Sequence, residues 1–175
     1  TTEDRAISDE LLCENLGGKG LATHLLLAMN PPGVDPLAPE NHLIFTAGPV
    51  AATRVWGSCR YGVFTKSPQT GFYAESYSGG TTAEYIAATG YDAIVLHGRA
   101  KEILWIEITD EGVQFHSAAD LKGQDTYATE DYLKQWISTN RPDSPKCGVS
   151  VVGPAAENGV TFALIENDYW RCAGR

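Results

Sequence analysis

Hydrophobic and polar positions along this chain change period several times, and each change marks an element. Ser8 or Asp9 is placed to cap a short helix from Glu10 towards Leu16. Gly17-Gly18-Lys19-Gly20 interrupts it, and Leu21 to Met29 predicts a second helix. Pro31, Pro32, Pro36 and Pro39 make the stretch from Asn30 to Asn41 a loop. His42 to Ala47 reads as a strand closed by Gly48-Pro49, and Val50 to Cys59 as a loop holding Arg54 and Trp56. Tyr61, Val63 and Thr65 then alternate with Gly62, Phe64 and Lys66, the period of a strand. Ser67-Pro68-Gln69-Thr70-Gly71 is turn chemistry, and Phe72 to Tyr77 is a second β-rich run. Ser78-Gly79-Gly80 leads into Thr81-Thr82, good N-cap residues for a helix through Ala88.

Further on, Tyr91 to His97 is nearly all apolar and predicts a buried strand. Ile103 to Thr109 alternates, and Asp110-Glu111-Gly112 turns it back into Val113 to His116 as a hairpin. A helix is expected from Thr129 to Ser138, with Glu130 and Asp131 in its first turn and Leu133, Trp136 and Ile137 on one apolar face. Cys147 to Val152 reads as a strand ending at Gly153-Pro154, and Val160, Phe162 and Leu164 alternate through a last strand ending near Asn167. The fold class implied is α+β, with two β-sheets and a few short helices. Ile44 to Ala51 and Ser150 to Ala156 are alike in form, each a strand closed by Gly-Pro and small residues, so an internal duplication is expected between 43–66 and 149–167.

With 175 residues, one domain spanning 1–175 is expected. A net charge of −9 argues against a nucleic-acid partner, which requires a basic face. No apolar run reaches the length of a membrane span. Cys13, Cys59, Cys147 and Cys172 are widely spaced, with no C-x-x-C pair to suggest zinc or an iron–sulfur cluster, so four reduced thiols in a cytoplasmic protein are expected.

The stretch from Arg60 to Gly80 carries the most chemistry. A strand pair, a glycine turn and a helix start, opened by Arg60, are parts that can face a phosphate or pyrophosphate. Gly17-Gly18-Lys19-Gly20 invites a nucleotide reading and fails it, because Lys19 is followed by Gly20 rather than Ser or Thr and no strand precedes it.

The run from Gly57 to Phe72, with its TKSPQTGF core, resembles the N-terminal domain of the aldehyde ferredoxin oxidoreductase family of tungsten- or molybdenum-pterin enzymes. LGGKGLATHLLL, DPLAPENHLIFTAGP, GYDAIVLHGRA, VGPAAENGVTFALIEND and RCAGR extend the resemblance, in order, over almost the whole chain. The resemblance implies the two-sheet N-terminal domain for which the family is known, and a longer parent chain of which 1–175 is a piece. It implies a metal held by the dithiolenes of two pterins whose phosphates are joined through Mg²⁺. The cofactor contacts it implies are Arg60, Tyr77, Gly79, Gly80, Arg171, Cys172, Gly174 and Arg175, with the main-chain carbonyl of Cys172 offered to Mg²⁺.

Tyr77 departs from the family pattern, because familiar members carry Asn there and its oxygen helps hold Mg²⁺. A phenol with a pKa of about 10 is a poor Mg²⁺ ligand, so water or a different phosphate bridge would take that place. The resemblance further implies a small aldehyde as substrate, a [4Fe–4S] cluster in the later part of the parent chain, ferredoxin as partner, and no catalytic residue in 1–175; a homo-oligomer is left open. A pterin-free interaction or structural domain that keeps the same fold is the alternative.

Overall fold

The computed structural model describes residues 1–144 and 146–174. Its centre is an antiparallel sheet of four strands, β1 (Leu43–Ala47), β2 (Tyr61–Lys66), β3 (Tyr73–Ser78) and β4 (Ala93–Leu96), in the order β3-β2-β1-β4. The sheet is covered on both faces, which explains why β2 is buried at each of its first four positions, Tyr61 to Phe64. Ala22 and Leu26 of α2 (Gly18–Met29) pack on Ile44 and Phe64 from one side. Ala83 and Ile86 of α3 (Thr82–Ala88) pack with Tyr61, Val63 and Ala51 on the other, joined by Ala173. A short α1 (Asp9–Glu14) precedes them, and Ser8 Oγ caps it by accepting from the Leu11 N–H at 3.2 Å.

The second half is built around β5 (Leu104–Thr109) and β6 (Gly112–Ser117), a hairpin with Thr109 opposite Gly112. Its inward face carries Trp105 and Glu107 rather than only apolar residues. Glu107 is buried, accepting from Arg141 Nε and Nη2 at 2.8 and 3.2 Å, with His116 Nε2 at 3.0 Å. The long helix α4 (Thr126–Asn140) packs Leu133 on Val149 and Val151, with Trp105 beside them. A four-residue helix, α5 (Pro154–Glu157), and a last hairpin, β7 (Ile165–Asn167) with β8 (Arg171–Ala173), complete the described residues.

Several expectations need correction. The glycine-rich 18–20 stretch lies inside α2, because the break is taken at Gly17 and Gly18, at φ +111° and +54°. β4 is half-buried rather than buried, since it is the edge of the sheet. Asp125 caps α4 through the Ala128 N–H at 2.8 Å, so the helix begins three residues early and Glu130 and Asp131 fall in its second turn. Cys147 to Val152 forms only the single bridge Val151–Glu166. Gly153-Pro154 starts a helix there instead of ending a strand, with proline at the first helical position where its missing N–H costs nothing. Val160 to Leu164 is not a strand: Phe162 and Leu164 are exposed, and only Ile165 to Asn167 pairs. The α+β class is as expected, and the described residues form one four-stranded sheet and two two-stranded ones. The expected duplication therefore reduces to one shared feature, a segment before Gly-Pro that pairs antiparallel with a later strand. The first instance sits inside a four-stranded sheet and the second is a lone bridge, so the settings do not match.

Candidate functional site: an arginine–glycine edge

The site forms where the ends of β2 and β3 meet the β7–β8 hairpin. Tyr61 pairs with Ser78, so Arg60 and Gly79 are the residues just beyond that last ladder pair. Arg60 is exposed and Gly79 half-buried. A side chain on Gly79 would meet the Arg171 guanidinium at 3.0 Å, and one on Gly80 would meet Arg171 Cδ at 2.8 Å. The Arg171 side chain therefore runs along the bare glycine pair, its aliphatic part by Gly80 and its charged end by Gly79. On its other side the guanidinium carbon lies 4.4 Å from the centroid of the exposed Trp170 ring, a cation–π contact.

What holds these pieces in register is Asn167, fully buried at the end of β7. Its Oδ1 accepts from the Tyr61 hydroxyl at 2.9 Å and the Ser78 hydroxyl at 2.7 Å. Its Nδ2 donates to the Gly79 carbonyl and to Asp168 Oδ2, both at 2.9 Å. Burial of Tyr61 pushes its phenol pKa up, which keeps the hydroxyl proton in place as a donor.

Asp168 corrects the expected use of the helix start. The N–H and hydroxyl of Thr81 both donate to it, at 2.8 and 2.7 Å, so the N-terminus of α3 faces the chain's own carboxylate. Thr81 makes no side-chain cap on its helix for the same reason. Burial raises the Asp168 pKa, but the Thr81 hydroxyl, the Thr81 N–H and the Asn167 amide outweigh it and hold it below the ordinary carboxylate range. Asp168 and Tyr169 both have left-handed backbone, at φ 48° and 64°. That turn is clamped to α4: the Tyr169 N–H donates to buried Glu130 at 2.9 Å, its hydroxyl to Asp131 at 2.7 Å, and the Lys134 amine lies 4.2 Å from its ring centroid.

The structure thus sets Gly79, Gly80 and Arg171 together, with Arg60 adjoining through Tyr61. Gly174 lies further along, its N–H donating to Ser76 Oγ at 2.8 Å. Cys172 sits opposite Glu166 in the hairpin with its side chain exposed. Tyr77 is turned to the α2 face of the sheet, edge-on to Phe64 at 5.8 Å between ring centroids. Burial and the nearby Glu75 raise its phenol pKa, which makes it a still poorer cation ligand. Arg175 lies outside the described residues. Among the described residues no group of three or more His, Cys, Asp or Glu side chains could hold a metal.

Tyr61 and Ser78 lie within the stretch expected to face a phosphate, but their side chains, like those of Thr81, Asn167 and Asp168, were not among the expected contacts. One local signal was available: Asn and Asp are the side-chain-bearing residues that most readily accept left-handed backbone, and Asn167-Asp168 closes a strand.

An α+β domain with a half-buried glycine pair, a half-buried arginine and an exposed one at one sheet end belongs to the class that can hold an oxyanion by guanidinium groups and bare backbone. The chain belongs to the aldehyde ferredoxin oxidoreductase N-terminal domain family, whose model matches residues 1–175. A tungsten-containing aldehyde ferredoxin oxidoreductase of Pyrococcus furiosus is 42% identical over 167 residues, covering 95% of this chain and 27% of that protein. Its namesake from Thermococcus kodakarensis matches to the same extent, 42% over 167 residues. The active site complex BamBC of benzoyl coenzyme A reductase, solved with 1,5-dienoyl-CoA, superposes with a TM-score of 0.90 at 34% identity, over 99% of this chain and 26% of that one. The chain thus spans about a quarter of the length of the relatives it matches. Among the described residues no helix is long and apolar enough to cross a membrane.

Proposed function

We propose that 1–175 is the cofactor-cradling domain of a tungsten- or molybdenum-pterin oxidoreductase that oxidises aldehydes to carboxylates and passes electrons to ferredoxin. The observation that carries this reading is the Arg171 side chain laid along Gly79 and Gly80, where any Cβ would displace it. Arg171 and Arg60 would hold pterin phosphate oxygens, because a planar guanidinium donates to two oxygens at once. Gly79 would let the phosphate approach the main chain. The bound group would supply the redox chemistry. The chain's own part is to bind and orient it, and to set fixed positive charge against its phosphates.

The residues fit the phosphates better than they fit Mg²⁺, since Tyr77 is packed on Phe64 where an amide oxygen was needed. The main-chain carbonyl of Cys172 and the backbone of Gly174 remain as contacts on the same hairpin edge. Arg175 would add a third guanidinium. Family members named for tungsten and for ferredoxin support the metal and the partner of this reading. The aldehyde is left unspecified, because no side chain of the edge discriminates among them.

Replacing Arg60 by Ala in the whole enzyme tests the reading. Tungsten or molybdenum content and aldehyde-oxidising activity should fall together. Full metal occupancy with lost activity would give Arg60 some other role.

A further inference from the structure

Among the described residues, Asn167 is a buried polar side chain whose bonds reach each segment that forms the arginine–glycine edge. Its carboxamide meets Tyr61, which follows Arg60; Ser78 and the carbonyl of Gly79; and Asp168, three residues before Arg171. All of its bonds run between segments that sequence leaves far apart, except that to Asp168. The geometry points to Asn167 as a positioning residue for oxyanion binding, acting through Gly79 and Arg171. This inference rests on the reading above, that this edge takes phosphate.

The side chain has to be a carboxamide. Two donors, Tyr61 and Ser78, converge on its oxygen, and two acceptors, the Gly79 carbonyl and the Asp168 carboxylate, need its N–H groups. An aspartate of the same shape would serve the first pair and repel the second. Gly79 would then be released from Asn167 while Asp168 was pushed towards Gly80, the glycine along which Arg171 runs. The neighbouring charged groups are Asp168 and Arg171 on the hairpin and Glu130 and Lys134 on α4, where Glu130 and Lys134 pair at 2.6 Å.

Inorganic diphosphate is the probe, titrated calorimetrically into cofactor-free whole protein carrying this chain, at several pH values between about 5 and 8, since a carboxylate beside another carboxylate titrates in or above the acid part of that range. Wild type should bind, and Arg171→Ala should lose at least tenfold in affinity at every pH. Asn167→Asp should lose at least tenfold at the alkaline end and recover most of it at the acid end, where the protonated carboxyl supplies one O–H donor in place of the amide. A residue that only supported the fold would not restore binding through the protonation of its own replacement. Ser78→Ala, a milder change that removes one buried hydrogen bond, should weaken binding about threefold while still unfolding in one cooperative transition, and it decides the matter if Asn167→Asp does not fold.

The outcomes separate the two ideas. If wild type does not bind, or Arg171→Ala binds as wild type does, the phosphate reading of the edge fails. If Arg171→Ala loses binding while Asn167→Asp at alkaline pH, or Ser78→Ala where the first does not fold, binds as wild type does, the positioning role of Asn167 alone is overturned.

Discussion

The two adjacent glycines of the edge should respond very unequally to the same substitution. Gly80 has φ +98°, and a Cβ there would overlap Asp168 Oδ2 outright, with Arg171 Cδ at 2.8 Å and Asn167 Nδ2 at 3.0 Å behind it. Gly80→Ala therefore carries a backbone cost of about 1–3 kcal/mol. It also drives out the Asp168 carboxylate, which holds three hydrogen bonds, two from Thr81 and one from Asn167. A hydrogen bond to a charged group contributes roughly 1.5–3 kcal/mol, and water can replace part of this at a half-buried site. Counting the equivalent of one lost bond brings the total to roughly 2.5–6 kcal/mol, a large share of the roughly 5–15 kcal/mol by which a domain is stable. Gly79 lies outside the positive-φ region, and its added Cβ would meet only the far end of Arg171 at 3.0 Å. Moving that guanidinium costs about 0.5–1.5 kcal/mol in rotamer energy, offset by about 0.4–1 kcal/mol from the stiffer unfolded chain. Urea unfolding should show Gly80→Ala strongly destabilised and Gly79→Ala within about 1 kcal/mol of wild type. Diphosphate binding by Gly79→Ala should nevertheless fall, because Arg171 is displaced. Wild-type stability in Gly80→Ala would refute the packing of Asp168 against that glycine.

The depressed pKa of Asp168 means that its ionised form is favoured by folding. Its contribution is complete above the unfolded carboxylate value of about 3.9 and is lost as pH falls through the lower folded value. Asp168→Asn should flatten the acid limb of urea midpoint against pH below about pH 4, and an unaltered limb would count against the Thr81 contacts. Glu107→Gln should cost about 1–3 kcal/mol, through weaker bonds from Arg141 and His116, while diphosphate binding at the arginine–glycine edge, to which these bonds do not run, stays unchanged. Tyr77→Asn should raise the Mg²⁺ bound per loaded whole protein, if the phenol is what excludes that ligand; equal Mg²⁺ content in both proteins would argue for another bridge.

The parts of the fold that were legible in the sequence are those whose causes are local. Tyr61 to Lys66, the Ser67 to Gly71 turn and the helix ending at Ala88 follow from period, proline and glycine, and the structure has them almost residue for residue. Elements whose stability comes from distant partners were misread. Cys147 to Val152 is as apolar as a strand but finds one ladder partner, Glu166, and otherwise packs on Leu133 of α4. β8 is three residues long, too short to show a period, and exists because β7 lies beside it and Ser76 of β3 receives the Gly174 N–H.

The site divides the same way. The glycine pair and the two arginines announce an anion because their chemistry is visible one residue at a time. The buried amide that sets their geometry does not, since a lone Asn ending a strand reads as a turn residue. The helix start misleads for a related reason: its N–H groups do face an anion, and only the tertiary fold reveals that the anion is Asp168. An oxyanion approaching this edge therefore meets guanidinium groups and bare glycine rather than the end of α3. That distinction governs which substitutions should abolish binding and which should only loosen the fold. Arg171→Ala removes a cation from the edge and leaves the Thr81–Asp168–Asn167 bonds in place. Thr81→Val removes a bond to Asp168 and leaves the cations in place. The first should therefore weaken diphosphate binding with little change in stability, and the second should lower stability while the edge still binds.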